Sequence, residues 1–229
     1  AFMDERIVPL ISVWKAEVEA GSFPVSFMAG LKERARAEGL WNLFLPALRD
    51  DEPGTRLSNL EYAPLAEIMG RVSWASEVFN CNAPDTGNME LLHLFATPAQ
   101  REQWLVPLLE GRIRSGFAMT EPDVASSDAT SIQTTILRQG GDYVINGRKW
   151  YTTNAAHPDC RLLIVMGKTE PDADRHRQRH AAHVPQQPGL HLYGQHPFHP
   201  VTGARATKPG ADGPGRRARR ADAAHRCQL

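Results

Sequence analysis

Apolar residues recur every three or four positions through the first hundred residues, which is the spacing of one face of an α-helix. The first run, residues 3–20, predicts a helix whose regular part begins near Pro9, because proline suits a first turn better than a helix interior. A second helix is predicted over residues 27–38, and it ends at Gly39, which suits a left-handed C-terminal position. The apolar positions of the first run are Ile7, Leu10, Ile11, Val13, Trp14 and Val18.

Further helices follow, with recognisable first turns. Ser58 and Glu61 have the spacing of a capping box, in which each residue bonds the backbone N–H of the other. A short helix is predicted over residues 88–95. Pro98 opens the next helix, which ends at Gly111. This is ordinary core patterning, so we assign no chemistry to these helices.

The periodicity changes to that of β-strands after about residue 113. A Gly-Gly step at 140–141 supplies one turn, and an Asn-Gly step at 146–147 lies between two β-rich runs, which is a strong hairpin signal. We therefore expect residues 143–146 to pair with residues 148–152. The other predicted strands cover residues 115–120, 131–138 and 161–166.

These elements predict an α+β chain in three parts: a helical domain over residues 1–113, an incomplete antiparallel β domain over 114–174, and a tail over 175–229. The first 174 residues carry 16 Lys+Arg against 24 Asp+Glu, whereas the tail carries 10 against 2. Ala, Arg, His, Pro and Gly make up 37 of the 55 tail residues. Such a segment buries too little apolar surface to offset the entropy of ordering it. We therefore expect a disordered basic tail.

Two motifs lie in the β-rich part, FAMTEPDVASSD at residues 117–128 and GRKWYTTN at residues 147–154. In the first, Thr120 adds a hydroxyl to an extended backbone, and the small residues near its end expose N–H groups suited to phosphate or thioester contacts. In the second, Trp150 and Tyr151 point in opposite directions if the segment is a strand, so only one of them can face a ring. Backbone donors, small polar groups and an aromatic wall are what a flavin requires.

In this order the two motifs resemble those of the acyl-CoA dehydrogenase family. That family carries an aromatic-x-x-Thr-Glu-Pro…Ser-Asp segment and, after a turn, a Gly-x-Lys-x-(Trp)-x-Thr-Asn segment. The first motif is similar to a subgroup with one more residue before Ser-Asp, so Ser127 and Asp128 take that place. Tyr151 stands where the family usually has tryptophan, and tyrosine stacks over a smaller area. The resemblance covers residues 1 to about 174.

The resemblance implies an FAD-dependent oxidoreductase that dehydrogenates a fatty acyl-CoA between Cα and Cβ in fatty-acid β-oxidation. It also implies electron transfer to an electron-transfer flavoprotein, and a homo-oligomer. Ser127 would contact acyl-CoA as well as FAD. The implied FAD contacts are Phe117, Met119, Thr120, Ser126, Ser127, Tyr151, Thr152 and Thr153.

The same resemblance places the catalytic base, a glutamate in most members, in a C-terminal four-helix bundle. Nothing after Met166 resembles that bundle, so we assign no catalytic residue and expect this chain to be inactive. A G+C-rich gene read out of frame is our explanation for residues 175–229; the rival is a genuine short isoform with an evolved basic tail. The alternative function is a non-catalytic fragment that binds acyl-CoA or a partner, and an acyl-CoA oxidase is a rival within enzymes.

Single residues with possible chemistry have simpler interpretations. Glu121 could act as a base, but we expect it to serve the structure of the turn. His93 lies on an apolar helical face and reads as a core or rim residue, and we expect His157, in a loop, to be solvated. The basic run at 216–220 has no aromatic residues interleaved, so we expect no nucleic-acid partner.

Composition also bounds the environment. Three widely spaced cysteines form neither a CxxC pair nor a metal-ligand cluster, which favours a reducing compartment and predicts no metal site. The N-terminus resembles neither a secretory signal nor a usual transit peptide, and no run approaches the roughly 20 apolar residues of a membrane span. We expect a soluble protein of the bacterial cytoplasm, or of the mitochondrion or peroxisome in a eukaryote.

Overall fold

The computed structural model describes residues 1–140 and 142–174, together with the backbone of a few short strands beyond them. The chain divides into two compact units. The first comprises Ala1–Ser115 with His157–Asp159, and the second comprises Gly116–Ala156 with Cys160–Leu229. Helices come first and antiparallel strands follow, which confirms the predicted α+β class. The prediction of a disordered tail falls mostly outside the described residues.

The first unit is helical. Its N-terminal segment is helical from Met3 to Glu19, as a π-helical turn, a 3₁₀ turn that contains Pro9, and helix α1. The regular helix thus begins just after the proline, as predicted. The bounds are Met3–Ile7 for the π-helical turn, Val8–Leu10 for the 3₁₀ turn, Ile11–Glu19 (α1), Met28–Ala37 (α2), Asn59–Gly70 (α3), Ala75–Val78 (α4), Asp85–Phe95 (α5), Pro98–Gln100 (α6), Arg101–Leu105 for a second π-helical turn, and Val106–Leu109 (α7).

The helix ends follow local sequence rules. Ser58 and Glu61 form the predicted capping box at α3: the Glu61 N–H donates to Ser58 Oγ at 3.3 Å, and the Ser58 N–H donates to Glu61 Oε2 at 2.8 Å. Thr97 and Gln100 form a second capping box at α6. Gly39 has a φ of +73°, so the left-handed residue predicted after α2 is confirmed.

The helices of the first unit pack around an apolar core in which Ile7 and Ala35 are fully buried. Trp74 contacts Trp14 and Phe27, with ring centroids 6.1 Å and 5.5 Å apart. The first helical segment is less buried than its pattern predicts, because Ile11 and Val13 are exposed.

A buried network of charges also lies in this unit. Arg114 Nε lies 2.8 Å from Asp85 Oδ2, and Arg114 also contacts Glu77 Oε1 at 3.2 Å. Lys32 Nζ donates to the same Glu77 oxygen at 2.9 Å. Burial raises the pKa of Asp85 despite the neighbouring Arg114 guanidinium. Burial would also raise the pKa of Glu77, but Arg114 and Lys32 outweigh it and hold that pKa below its usual value.

His157 belongs to this buried network, so the expectation of a solvated loop histidine is wrong. The side chain is 6% exposed, and its ring meets Phe23 edge-on at 5.0 Å between centroids. The Asp159 N–H donates to His157 Nδ1 at 3.0 Å. Burial, followed by the positive charge of Arg114, lowers the pKa of His157 to about 4.

The second unit is built from short strands. The bounds are Arg114–Ala118 (β1), Thr135–Gln139 (β2), Asp142–Asn146 (β3), Arg148–Lys149 (β4), Cys160–Met166 (β5), Ala181–Pro185 (β6), His191–Leu192 (β7), Ala204–Arg205 (β8) and Arg226–Cys227 (β9). Of the described strands, β1, β5 and β6 form one sheet in that order, β2, β3 and β9 a second, and β4, β8 and β7 a third. A 3₁₀ turn, Ala129–Ser131, precedes β2.

The hairpin predicted at the Asn-Gly step is wrong. Strand β3 pairs antiparallel with β2, with Gln139 opposite Asp142 and Gly140 at φ +64° in the turn. Strand β4 instead pairs with β8 in a different sheet. A Cβ on Gly147 would lie 2.1 Å from Thr134 Oγ1, so this glycine allows a close approach between segments rather than a reversal of the chain.

Candidate functional site

The two motifs lie side by side in the second unit. Lys149 Nζ donates to the Met119 carbonyl at 2.7 Å and to Glu121 Oε1 at 2.9 Å. One residue further on, the Trp150 N–H donates to the Thr120 carbonyl at 3.0 Å. The structure thus joins the segment after β1 to the segment after β4, although 28 residues separate Glu121 from Lys149.

Glu121 is the anchor of the first motif. Its carboxylate accepts hydrogen bonds from the Gln133 N–H at 2.7 Å and from both the N–H and the hydroxyl of Thr134, at 2.9 and 2.5 Å. Burial alone would raise the pKa of Glu121, but Lys149, Thr134 and the backbone N–H groups outweigh it and hold the pKa below its usual value. A carboxylate with four donors is a poor proton acceptor. Its contacts agree with the expected structural role.

A compact turn follows Glu121. The Glu121 N–H donates to Ser126 Oγ at 2.7 Å, and Ser126 Oγ in turn donates to the Val124 carbonyl at 3.3 Å. The Asp128 carboxylate accepts from the N–H and the hydroxyl of Thr130, at 2.9 and 2.6 Å, and so caps the following 3₁₀ turn. Ser126 is buried, whereas Ser127 is exposed. Of the two serines, Ser127 therefore presents its hydroxyl at the surface.

The second motif leaves the strand conformation earlier than predicted. Strand β4 ends at Lys149, and Tyr151 has a φ of +53°, which is uncommon for a residue with a side chain. The Tyr151 side chain is 45% exposed, and its ring centroid lies 4.6 Å from that of Trp150. The alternation expected of Trp150 and Tyr151 in a strand does not apply in this left-handed turn. Residues with such strained backbones cluster at functional sites.

Thr152 and Thr153 lie close to β1 because residue 116 is glycine. A Cβ on Gly116 would lie 3.1 Å from the Thr153 carbonyl oxygen and 3.3 Å from Thr152 Cγ2. Thr152 is 1% exposed, whereas Thr153 is exposed. The absent side chain at 116 therefore lets the second motif lie directly on the strand that leads into the first.

Two buried polar atoms in the second motif have no hydrogen-bond partner among the described residues, Trp150 Nε1 and Thr152 Oγ1. An unsatisfied buried donor costs about 1–3 kcal/mol, so such atoms usually have a ligand, water or ion as partner. They lie in the segment whose backbone is strained at Tyr151. Two polar atoms that lack partners, close to an aromatic side chain, suit a flat molecule with polar edges such as a flavin.

Two family models match consecutive parts of the chain. The acyl-CoA dehydrogenase N-terminal domain matches residues 1–112, and the acyl-CoA dehydrogenase middle domain matches residues 116–210. The chain belongs to the acyl-CoA dehydrogenase family. The middle-domain match runs further than the resemblance read from the motifs, which ends near residue 174.

Individual acyl-CoA dehydrogenases agree with this assignment. The probable acyl-CoA dehydrogenase FadE2 of Mycobacterium tuberculosis is 60% identical over 162 residues, which are 70% of this chain and 38% of FadE2. The structure of a putative acyl-CoA dehydrogenase from Mycobacterium abscessus matches with a TM-score of 0.77 and 46% identity, over 88% of this chain and 53% of that one. An acyl-CoA dehydrogenase from Bacillus anthracis, complexed with FAD, has the same fold at 24% identity, with a TM-score of 0.60, over 84% of this chain and 30% of that one. This chain thus spans about half or less of the length of these relatives.

The predicted acyl-CoA dehydrogenase site residues all lie in or beside the joined motifs. Phe117 is on β1, and Phe117 and Met119 are half-buried. Sequence reasoning missed the residues that join the motifs, chiefly Lys149 and Thr134. Lys149 had one available signal, since the family segment itself carries a lysine at this position.

No group of three or more His, Cys, Asp or Glu side chains that could hold a metal occurs among the described residues. Within the same part of the chain, no helix is both long and apolar enough to cross a bilayer.

Proposed function

We propose that this chain binds FAD along the edge formed by residues 117–128 and 147–154, as part of an acyl-CoA dehydrogenase that acts on a fatty acyl-CoA. The observation that carries the proposal is the pair of unsatisfied buried polar atoms, Trp150 Nε1 and Thr152 Oγ1, beside the strained Tyr151. A bound cofactor would give such atoms partners and would offset the strain. Family membership supplies the chemical identity of that cofactor.

The proposed FAD contacts differ in what they can offer. Thr120 and Thr153 expose hydroxyl groups that can donate to a ring edge, and Tyr151 presents a half-exposed aromatic face. Phe117, Met119 and Thr152 contribute buried or half-buried surface. Ser127 exposes its hydroxyl and is proposed to contact both FAD and acyl-CoA, whereas the hydroxyl of Ser126 is already bonded within the turn and would act by shaping it. FAD itself would supply the hydride acceptor.

No catalytic base is proposed among the described residues. Glu121 is the buried carboxylate at the joined motifs, and its four donors and lowered pKa make it unsuited to removing a proton. Loss of general-base catalysis costs about 10²–10⁴-fold in rate. We therefore propose that the 229 residues alone do not dehydrogenate acyl-CoA. We also propose that the protein passes electrons to an electron-transfer flavoprotein, assembles into a homo-oligomer, and is located in the bacterial cytoplasm or in an organelle.

The second candidate is a non-catalytic fragment that binds acyl-CoA or a partner. The four hydrogen bonds to the Glu121 carboxylate favour this candidate for the isolated chain, because they leave that carboxylate unsuited to act as a base. FAD binding separates the candidates, since a fragment that only binds acyl-CoA or a partner needs no flavin. Anaerobic addition of a fatty acyl-CoA to the chain with FAD tests the proposal of inactivity. Substrate-dependent bleaching of the flavin absorbance would reveal a base and overturn the proposal of inactivity. Absence of bleaching together with saturable FAD binding is the expected result.

Titration of FAD with the purified chain, followed by quenching of flavin fluorescence, tests the site itself. Thr120→Val and Thr153→Val should each weaken FAD binding about two- to tenfold, because losing one hydrogen bond costs about 0.5–1.5 kcal/mol. Thr135→Val, on β2 and outside both motifs, is the matched control and should bind as the parent does. Equal affinities in all four proteins would remove both threonines from the site.

A further inference from the structure

A buried ion pair between Lys149 and Glu121 joins the two motifs. The side chains of Lys149 and Glu121 are 4% and 5% exposed, with Nζ 2.9 Å from Oε1. Taking two charges out of water costs several kcal/mol each, and a buried pair is often no more stabilising than apolar residues of the same volume. Stability alone is therefore a weak explanation for placing a lysine and a glutamate here.

Both partners also fix backbone of the proposed FAD edge. Lys149 Nζ donates to the Met119 carbonyl at 2.7 Å, which holds the peptide between Met119 and Thr120 in place. The adjacent Trp150 N–H donates to the Thr120 carbonyl, so two successive residues of one motif bond two successive carbonyls of the other. Glu121 meanwhile accepts from the backbone of Gln133 and Thr134, which ties the turn to the start of β2.

Neighbouring residues pack closely around the ion pair and restrict its movement. Thr134 Oγ1 donates to Glu121 Oε1 at 2.5 Å, and the same hydroxyl occupies the space that a Cβ on residue 147 would fill. Lys149 follows Gly147 by two residues, so the close approach at Gly147 and the ion pair fix the same short segment. The left-handed Tyr151 comes next on the chain after Trp150.

An exposed ion pair gives a natural comparison. Arg148 and Asp123 belong to the same two motifs, and their side chains meet at 2.6 Å, but they are 52% and 64% exposed. Among the described residues, neither side chain of that pair bonds the backbone of the other motif. Exposed pairs are worth about 0–1 kcal/mol and position little. Variants of the two pairs can therefore distinguish the effect of losing any ion pair from the effect of losing a pair that fixes the backbone of the site.

We propose that Lys149 and Glu121 are positioning residues for FAD: they act through the Met119 carbonyl and the Trp150 peptide to hold Thr120 and Tyr151 in register across the two motifs. This inference rests on the proposed FAD site and adds residues to it that touch the site's backbone rather than the cofactor. Glu121 itself is unsuited to acid–base chemistry, because it accepts from four donors.

The test compares Lys149→Met and the isosteric Glu121→Gln with the exposed-pair variants Arg148→Gln and Asp123→Asn. Affinity for FAD is measured by quenching of flavin fluorescence, and hydrogen exchange of the Trp150 amide is measured in the chain without FAD. Lys149→Met and Glu121→Gln should each weaken FAD binding about tenfold or more, since more than one hydrogen bond is disturbed. Both should also speed exchange of the Trp150 amide. The exposed-pair variants should leave both measurements unchanged.

A double variant, Glu121→Gln with Lys149→Met, separates positioning from folding. It leaves no buried charge unpaired, and the amide oxygen of the glutamine can still accept from Thr134, so its melting temperature should exceed that of Lys149→Met. It cannot restore the donor to the Met119 carbonyl, so FAD affinity should stay low. Recovery of FAD affinity together with the melting temperature would mean that the pair only supports the fold, and the inference would fall. If the parent chain itself does not bind FAD, the proposed function fails, while exchange of the Trp150 amide still decides whether the pair holds the two motifs together.

Discussion

Arg114 and Asp85 form a buried pair, 4% and 1% exposed, in which the Arg114 Nε lies 2.8 Å from Asp85 Oδ2. The other oxygen of Asp85 accepts from the N–H and the hydroxyl of Ser115, at 2.7 and 2.6 Å. Asn88 donates to the same hydroxyl at 2.9 Å. One carboxylate on α5 thus binds both Arg114 and Ser115, the last two residues of the stretch Ala1–Ser115 in the first unit.

Breaking this pair should destabilise the helical unit strongly. Arg114→Met leaves Asp85 as a buried carboxylate without a cation, and removing one partner of a buried pair costs about 3–5 kcal/mol. The measurement is the free energy of unfolding in urea, followed by tryptophan fluorescence. Lys15→Gln, which breaks an exposed pair with Glu19 on α1, is the control and should change stability by no more than about 0.5 kcal/mol. Similar effects for both variants would contradict the buried role of Arg114.

Stability of the helical unit should fall as the pH drops from about 6.5 to about 4. The pKa of His157 is lowered in the folded state by burial and by Arg114, so in this window the unfolded chain binds more protons. The contribution is fully present above the unfolded pKa and is lost towards the folded pKa of about 4, on the order of 3 kcal/mol in all. Unfolding of the parent and of His157→Asn, compared at pH 7 and pH 5, measures it. The asparagine variant should lose less stability over this range, and equal losses would show that His157 is not the titrating group.

Gly147→Ala should destabilise the β unit. Its Cβ would lie 2.1 Å from Thr134 Oγ1 and 2.6 Å from Thr134 Cβ, so the segment must move, and overpacking of this kind costs about 1–3 kcal/mol. Gly30→Ala, in α2 with nothing within 4 Å of the added Cβ, should instead stabilise by about 0.5–1 kcal/mol. Thermal unfolding of the two variants should therefore shift in opposite directions. A neutral Gly147→Ala would mean that the two segments can separate at little cost.

Tyr151→Asn should separate stability from cofactor binding. Asparagine tolerates the left-handed backbone better than tyrosine, so relief of strain should stabilise the chain without FAD by up to about 1 kcal/mol. Loss of the half-exposed ring should weaken FAD binding at the same time, because an aromatic stacking contact is worth about 0.5–1.5 kcal/mol. Melting temperatures without FAD and flavin titrations test the two halves separately. Unchanged FAD affinity would remove Tyr151 from the site.

Local rules predicted the helical unit well because their causes lie within a few residues. The Ser58–Glu61 capping box, the start at Pro98 and the left-handed Gly39 depend only on immediate neighbours. The family motifs likewise pointed, from the sequence alone, to the two segments that the structure joins and that form the proposed site.

The features that the sequence did not predict correctly share one cause: they depend on contacts between residues that are distant in the sequence. Gly147 carried the signal of a turn, but it is glycine because Thr134, thirteen positions earlier, occupies the space of its side chain. Lys149 pairs with Glu121 across 28 positions, and the buried His157 interacts electrostatically with Glu77 and Arg114 and contacts the ring of Phe23. No periodicity or local propensity encodes such pairings, so a single sequence could not reveal them.

The return of His157–Asp159 to the helical unit has a consequence for synthesis of the chain. The helices leave the ribosome well before this segment does, with the whole stretch from Gly116 to Ala156 made in between. Since domains generally fold as units during translation, the helical unit must wait for a part of itself that is encoded after both motifs. Slow codons between positions 116 and 156 would therefore delay its completion.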